Sequence, residues 1–356
     1  MGAKPGIALD ERTREILQRV ISIFIITGRP VGSRTIARKS LEHLSSATVR
    51  NIMADLEEMG YLRQPHPSAG RIPTDKGYRL YVDTMLGRRE ISARERLLID
   101  RSLMSEDSPD QLMLRTSQVL SLISRNLGIV VSPPISQVAL QHLHFIKLSE
   151  NRILVVLVSR SGIVQNRVIH PSEEYSQAEL DQAGRYIVEH FKDKTLAEIR
   201  SLLSQMIREA RALYDALVRR VILLSADTFL EATEEVKAAV YLEGASNLIK
   251  NPEFSDITRM RVLFETIEQK NRLATLISEC IRGETQEVKI AIGAENALPG
   301  IEDCTLVASR YMVDEKTFGS LGILGPTRME YAKAISLVEY VARIFGQVLG
   351  SEGLRA

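Results

Sequence analysis

Residues Ser45–Pro73 read SSATVRNIMADLEEMGYLRQPHPSAGRIP. Ser45 or Ser46 caps a helix that runs to Met59, and Gly60 ends it. Tyr61–Gln64 suits a short strand, Pro65, Pro67, Ser68, Ala69 and Gly70 a turn, and Arg71–Pro73 a return strand. Upstream, residues 9 to 26 form a helix whose apolar face is Ile16, Leu17, Val20, Ile21, Ile23 and Phe24, stopped by Gly28 and Pro30. Ser33 is placed as the N-cap of a second helix from Arg34 to about Ser40. Downstream, Thr74 opens a helix through Tyr81 and Leu86. Three short helices followed by a Pro/Gly-tipped ribbon make the winged helix-turn-helix plan.

The third helix divides cleanly at 100° per residue. Val49, Ile52, Met53, Leu56 and Met59 fall on one side, which must be buried. Ala47, Arg50, Asn51 and Ala54 fall on the other. Arg suits a bidentate contact with guanine and Asn with adenine, and the alanines let the helix approach a groove. Asp55, Glu57 and Glu58 at the far end would be repelled by phosphate, so the N-terminal half is the half that reads. Positive residues on the ribbon suit phosphate or minor-groove contact. The candidate DNA-contacting residues are Ser33, Arg34, Ser46, Thr48, Arg50, Asn51, Arg63, His66 and Arg71, with Arg38 and Lys39 as further backbone contacts.

Charge supports a nucleic-acid partner. The net charge of +1 hides 15 Lys/Arg against 9 Asp/Glu in residues 1–89, a net of +6, and 31 against 36 in the remainder, a net of −5. A basic small domain on an acidic body is a footprint expected of a nucleic-acid binder. At 356 residues, two or three domains are expected. No apolar run approaches the ~20 residues of a membrane span. Cys280 and Cys304 alone give neither a disulfide framework nor a zinc site, and the chain reads as cytoplasmic. No phosphate-binding loop, nucleophile elbow, HExxH or catalytic carboxylate pair appears, so no enzyme and no cofactor are expected. His142 and His144 share a strand face without an acidic or thiol partner and read as surface residues rather than metal ligands.

Beyond residue 86, GRREISARER (Gly87–Arg96) is charged and poor in apolar residues and reads as a linker, with a second break at SEDSPD (Ser105–Asp110). A helix over 111–127 ends at Gly128. Strands follow at Val138–Leu148, Arg152–Ser159 and Ile163–His170, then helices. Ser176 with Glu179, Thr195 with Glu198, and Thr327 with Glu330 fit capping boxes. Strands return at Glu287–Gly293, Cys304–Val313 and Phe318–Gly325, before a last helix to about Leu349. Gly319–Gly325 reads as close packing within a sheet. One α+β sheet domain with a helical insertion and two separate sheet domains both fit this order.

The segments SSATVRNIMADLEEMGYL (Ser45–Leu62) and HPSAGRIPTDKGYRLYVD (His66–Asp83) resemble signatures of HrcA, the heat-inducible transcription repressor family of bacteria. GPTRMEY (Gly325–Tyr331) is similar to the same family. The resemblance implies an α+β multidomain chain: a winged helix at 1–86, a linker region at 87–110, a GAF-like domain at 111–171 and 251–350, and an inserted, mostly helical dimerisation segment at 172–250. It assigns Ser46–Met59 as recognition helix and Tyr61–Pro73 as wing. It further implies a homodimer on the CIRCE inverted repeat upstream of chaperone genes, repression that lapses on heat stress, and the chaperonin GroEL as modulator. Two other readings stay open from the residues themselves: control by a small ligand in the sheet domain, and a winged helix used as a protein-docking module.

One winged helix reads only a short half-site. A fragment of residues 1–85 is therefore expected to stay monomeric and bind operator DNA far more weakly than the full chain; equal affinity in a titration of both would refute dimeric recognition.

Overall fold

The computed structural model describes residues 9–38, 44–87, 89–104, 108–149, 151–160, 162–171, 173–209, 238–281, 287–296, 298–313 and 317–352. Asp10 opens α1 (Glu11–Thr27) by accepting a hydrogen bond from Thr13 N at 2.7 Å, and Gly28, with φ of 64°, closes it in the left-handed region. α1 buries Ile16, Leu17, Val20 and Ile21, packing on α3 (Ser46–Glu58), with α2 (Ser33–Ala37) alongside both. The N-cap of α2 is Gly32, without a side-chain bond; Ser33 is the first helical residue rather than the cap expected from its hydroxyl. β1 (Leu62–Arg63) and β2 (Ile72–Pro73) pair antiparallel, and Val31 pairs with Arg71 as a further rung. A Cβ at Gly70 would lie 2.4 Å from the Val31 carbonyl, so only glycine lets the ribbon come this close. The Thr74 hydroxyl caps α4 (Asp75–Thr84) at Gly77 N.

A five-stranded antiparallel sheet forms the body. It comprises β3 (Leu127–Val131), β7 (Val240–Glu243), β8 (Lys289–Ile292), β9 (Cys304–Met312) and β10 (Phe318–Pro326), in the order β7-β3-β10-β9-β8. Alternate residues face opposite sides. Val130, Val307, Leu321 and Ile323 pack with α6 (Pro109–Ser124) and α12 (Tyr331–Glu352). Leu127, Ile129, Val131, Leu306 and Leu324 pack toward α9 (Ala245–Ile249), α10 (Ile257–Glu268) and α11 (Lys270–Cys280). Burial on both sides is why β3 reads LGIVV, a continuous apolar run.

That run also explains a misreading. Gly128 is not the end of a 111–127 helix. α6 stops at Arg125, which takes φ of 57°, and Gly128 sits inside β3, where a Cβ would lie 2.1 Å from Ser117 O of α6. The Gly319–Gly325 glycines likewise abut Tyr311, Val307 and Asn126, as close packing requires.

Between β3 and β7 the described residues form a unit of their own; residues 210–237, within the expected 172–250 segment, lie outside the described residues. β4 (Leu140–Ser149), β5 (Arg152–Ser159) and β6 (Val164–Ile169) make a separate three-stranded antiparallel sheet. α7 (Gln177–Phe191) and α8 (Leu196–Glu209) pack on one face of it, around Leu143, Phe145, Val155, Leu157 and Ile187. Ser132 N donates to Ala239 O at 2.9 Å and Ala239 N to Ser132 Oγ at 2.8 Å, so the unit leaves and re-enters the body at one point. β4, β5 and β6, which the expected division placed in the 111–171 part, thus lie in a sheet separate from the five-stranded one and pack with α7 and α8. Hairpin partners are local, so strand patterning alone did not reveal which sheet these strands join. Of the expected capping boxes, Ser176/Glu179 and Thr195/Glu198 form. Thr327/Glu330 does not: α12 begins at Tyr331, and Glu330 pairs with Arg89 at 2.8 Å.

The 87–110 region expected as a linker contains α5 (Ala93–Leu103), which a Ser92/Glu95 capping box starts within the charged stretch. Ile91, Ile99 and Leu103 are buried in the cluster that runs from the winged helix to α12. Ile99 and Leu103, one turn apart, face this cluster, whereas Leu97 and Leu98 stay exposed, so the apolar residues show no clean helical stripe that the sequence could reveal. Glu95 also pairs with Lys333 of α12 at 2.9 Å.

Two outcomes are expected. Gly128→Ala should destabilise the chain by ~1–3 kcal/mol in denaturant unfolding, because the added methyl overlaps α6 backbone. Hydrogen bonds from Ser92 and Lys333 hold the Glu95 carboxyl at about 2, below its ordinary 4.5. A depressed folded-state pKa gives stability that is present above 4.5 and lost as pH falls toward 2. Glu95→Gln should flatten that part of a stability–pH curve; an unchanged curve would remove Glu95 from this role.

Candidate nucleic-acid interface

The Ser45 hydroxyl accepts a hydrogen bond from Thr48 N at 3.1 Å and so starts α3. Val49, Met53 and Leu56 are buried beneath the helix, as the 100° periodicity requires. Ser46, Ala47, Arg50 and Asn51 are exposed on the other side, and Ala54 is half-buried. The Arg50 and Asn51 side chains have no hydrogen-bond or ion-pair partner among the described residues, so both are free to engage base edges. Thr48 is only partly available: it is half-buried, and its hydroxyl lies 2.9 Å from Ser45 Oγ.

The ribbon is braced from both sides. Gln64 Nε2 donates to the carbonyls of Pro67 and Ala69, each at 2.9 Å, which holds the turn closed. Arg63 projects from β1 and His66 from the turn, both exposed. Arg71, expected as a DNA contact, is also paired within the domain. Its Nε lies 2.7 Å from the Glu57 carboxylate, with the side chain 18% exposed. Glu57 also accepts from Gln64 N at 2.9 Å. One carboxylate thus ties α3 to both sides of the wing, and Arg71 helps position the ribbon. The sequence signal was an acid near a helix end facing an arginine in the return strand, which carried no information on their distance.

At the C-terminal end of α3, Lys76 Nζ donates to Met59 O at 2.7 Å and sits 4.4 Å from the Tyr61 ring centroid. A cation there complements the helix dipole. Ser33, half-buried, and Arg34, exposed, lie at the start of α2, and Arg38 is exposed just after it. Lys39 lies outside the described residues. Arg34, Ser46, Arg50, Asn51, Arg63 and His66 are exposed, while Ser33, Thr48 and Arg71 are half-buried, the last two with partners inside the domain. His142 and His144 are exposed on β4, and among the described residues no group of three His, Cys, Asp or Glu is placed to share a metal ion.

Residues 8–85 match the model of the winged helix-turn-helix transcription repressor, HrcA DNA-binding domain, and residues 110–335 that of the HrcA protein C-terminal domain. The chain belongs to the HrcA family. A heat-inducible transcription repressor HrcA from Geobacter sulfurreducens is 42% identical, covering 97% of this chain and 99% of that protein. One from Syntrophobacter fumaroxidans is 38% identical over the same shares, and one from Xanthomonas euvesicatoria pv. vesicatoria 35% identical over 100% of both chains. A crystal structure described only as a hypothetical protein superposes with a TM-score of 0.62 at 22% identity, covering 97% of this chain and 99% of that one, a likeness of fold. The α3 and wing described above lie inside the matched HrcA DNA-binding region. No helix among the described residues is long and apolar enough to cross a membrane.

Arg50→Ala or Asn51→Ala should each lower specific DNA affinity by ~1–3 kcal/mol and relax sequence choice. Undiminished operator binding by the double variant would remove α3 from the reading role. Arg71→Ala should act through a loosened wing, weakening all sequences by a similar factor in the same titrations. Selective loss on one sequence would contradict its placement against Glu57.

Proposed function

We propose that the chain is a negative transcriptional regulator of heat-shock chaperone operons. It binds the CIRCE inverted repeat as a homodimer and loses repression on heat stress, with the chaperonin GroEL sustaining its active fraction. The observation that carries this reading is the exposed, unpartnered Ala47–Arg50–Asn51 side of α3, held at a fixed angle to its wing in a chain of the HrcA family. Ser46 and Arg50 engage the groove with Asn51. Arg34, Arg63 and His66 fix register on phosphate.

The five-stranded sheet with its flanking helices is the GAF-like unit, and the unit between β3 and β7 is the dimerising insertion. Support for the second role lies on the open face of the three-stranded sheet. There Ile146, Leu154 and Val168 form one cross-strand row, and Val158 pairs with Val164 in another. Ile146 is 44% and Val164 60% exposed, while α7 and α8 cover the opposite face. The face is mixed, with His142, His144 and Asn166 among these apolar side chains, and its exposed Ile146 and Val164 are suited to contact with a second copy.

The test is a gel-shift titration of the full chain on a CIRCE duplex and a scrambled duplex, at two salt concentrations, with and without GroEL. Tight, sequence-selective binding that weakens steeply with salt is expected, with a larger active fraction when GroEL is present. Folded protein that shows no selectivity in any condition would overturn the reading in favour of a protein-docking module.

A further inference from the structure

The family-like segment Gly325–Tyr331 closes β10 and opens α12, and it contains neither the reading helix nor the wing. Two of its side chains grip the winged helix from behind. Arg328 Nη1 donates to Ile25 O, in the last turn of α1, at 2.8 Å. A cation there satisfies a carbonyl that the helix leaves unpaired. The same guanidinium pairs through Nε with Glu253, and the two side chains are only 18% and 28% exposed. Gly28 lies directly over it, with a built Cβ 3.2 Å from Arg328 Cζ.

Tyr331 is buried to 1% exposure, its ring centroid 5.7 Å from that of Tyr78 and 6.5 Å from that of Tyr81, both on α4. Its hydroxyl donates to Thr327 O at 2.5 Å. Beside it, the Asp75 carboxylate accepts from Ala294 N at 3.1 Å, and Arg79 binds Glu295 and the Ile290 carbonyl, the latter at 2.7 Å. The body thus holds α1 and α4. α3 instead packs on α1, α2 and β1, with its Ala47, Arg50 and Asn51 side outward. The contact fixes the winged helix without covering the surface that reads DNA.

We infer that Arg328 and Tyr331 are positioning residues for operator binding: they clamp the winged helix to the body, so that the separation and rotation of two half-sites are measured by the rigid body of the dimer and not left to a tether. This rests on the dimeric operator reading above. A clamped pair of reading heads discriminates half-site spacing, because ~5 extra base pairs turn one half-site to the opposite side of the duplex. Heads on flexible tethers would follow both spacings.

The experiment uses the full chain and fluorescence anisotropy on three duplexes: the CIRCE repeat, the same repeat with five base pairs added to its spacer, and a single half-site. For the unaltered chain, the lengthened spacer should weaken binding at least ~10-fold. Arg328→Ala and Tyr331→Leu, once shown by circular dichroism to be folded, should keep half-site affinity within about twofold and reduce the spacer penalty to about threefold or less. Glu253→Gln removes only the ion pair and should lower the penalty in the same direction, which keeps the inference testable if the other variants do not fold. Folded variants with the full penalty would overturn it, as would an unaltered chain that binds both spacings equally. A chain that fails to prefer the repeat over scrambled DNA would instead defeat the operator reading itself.

Discussion

The architecture depends on one strand finding partners far along the chain. β3 is paired on one side with β7, beyond the inserted unit, and on the other with β10, almost at the end of the protein. Until both arrive, its five residues expose apolar side chains on both faces. Loop closure over such separations is slow relative to the local pairing of β4, β5 and β6 or the folding of the winged helix. Once the sheet closes, α12 has a face to cover, and the segment that precedes it is delivered against α1 and α4. The winged helix is local in sequence, but its placement on the body depends on Arg328 and Tyr331, far along the chain.

Within the winged helix, the economy of charge differs from a simple count of basic residues. Some arginines are consumed by the frame: Arg71 on Glu57, Arg79 on Glu295, Arg328 on Glu253. Exposed ion pairs contribute little each, about 0–1 kcal/mol. These are half-buried and joined to backbone hydrogen bonds, so their main product is geometry. Burial raises the Glu253 carboxyl above its ordinary range while Arg328 pulls it down, as expected of a carboxylate whose partner must be close. The cations left over, Arg34, Arg50 and Arg63, lie on or beside the outward side of α3 and the ribbon, where a polyanion has access.

Much of this was legible in the sequence where the period was strong and the cap was local. Val49, Met53 and Leu56 identified the buried side of α3, and Ser45 its start. The Ser176 and Thr195 caps formed as written. The failures share a cause: each needed a partner that spacing does not specify. Gly128 looked like a helix stop because the close approach of α6 to β3 is a tertiary fact. The charged 87–96 stretch hid the start of a helix whose Ile99 and Leu103, just beyond it, meet a core supplied from elsewhere. Thr327 and Glu330 had the spacing of a cap, but Glu330 pairs with Arg89 and the intervening Arg328 turns toward the winged helix.

The neck at Ser132 and Ala239 has a consequence for how such a protein arises. Its two ends stand one hydrogen bond apart, at the end of neighbouring antiparallel strands. For the parent sheet, gaining or losing the whole branch is equivalent to lengthening or shortening a single hairpin turn, with no change of register in β3 or β7. Each doubling of such a connection costs only about 0.6 kcal/mol in closure entropy. Scaffold and branch are therefore separable inheritances, and either can diverge without renegotiating the core of the other.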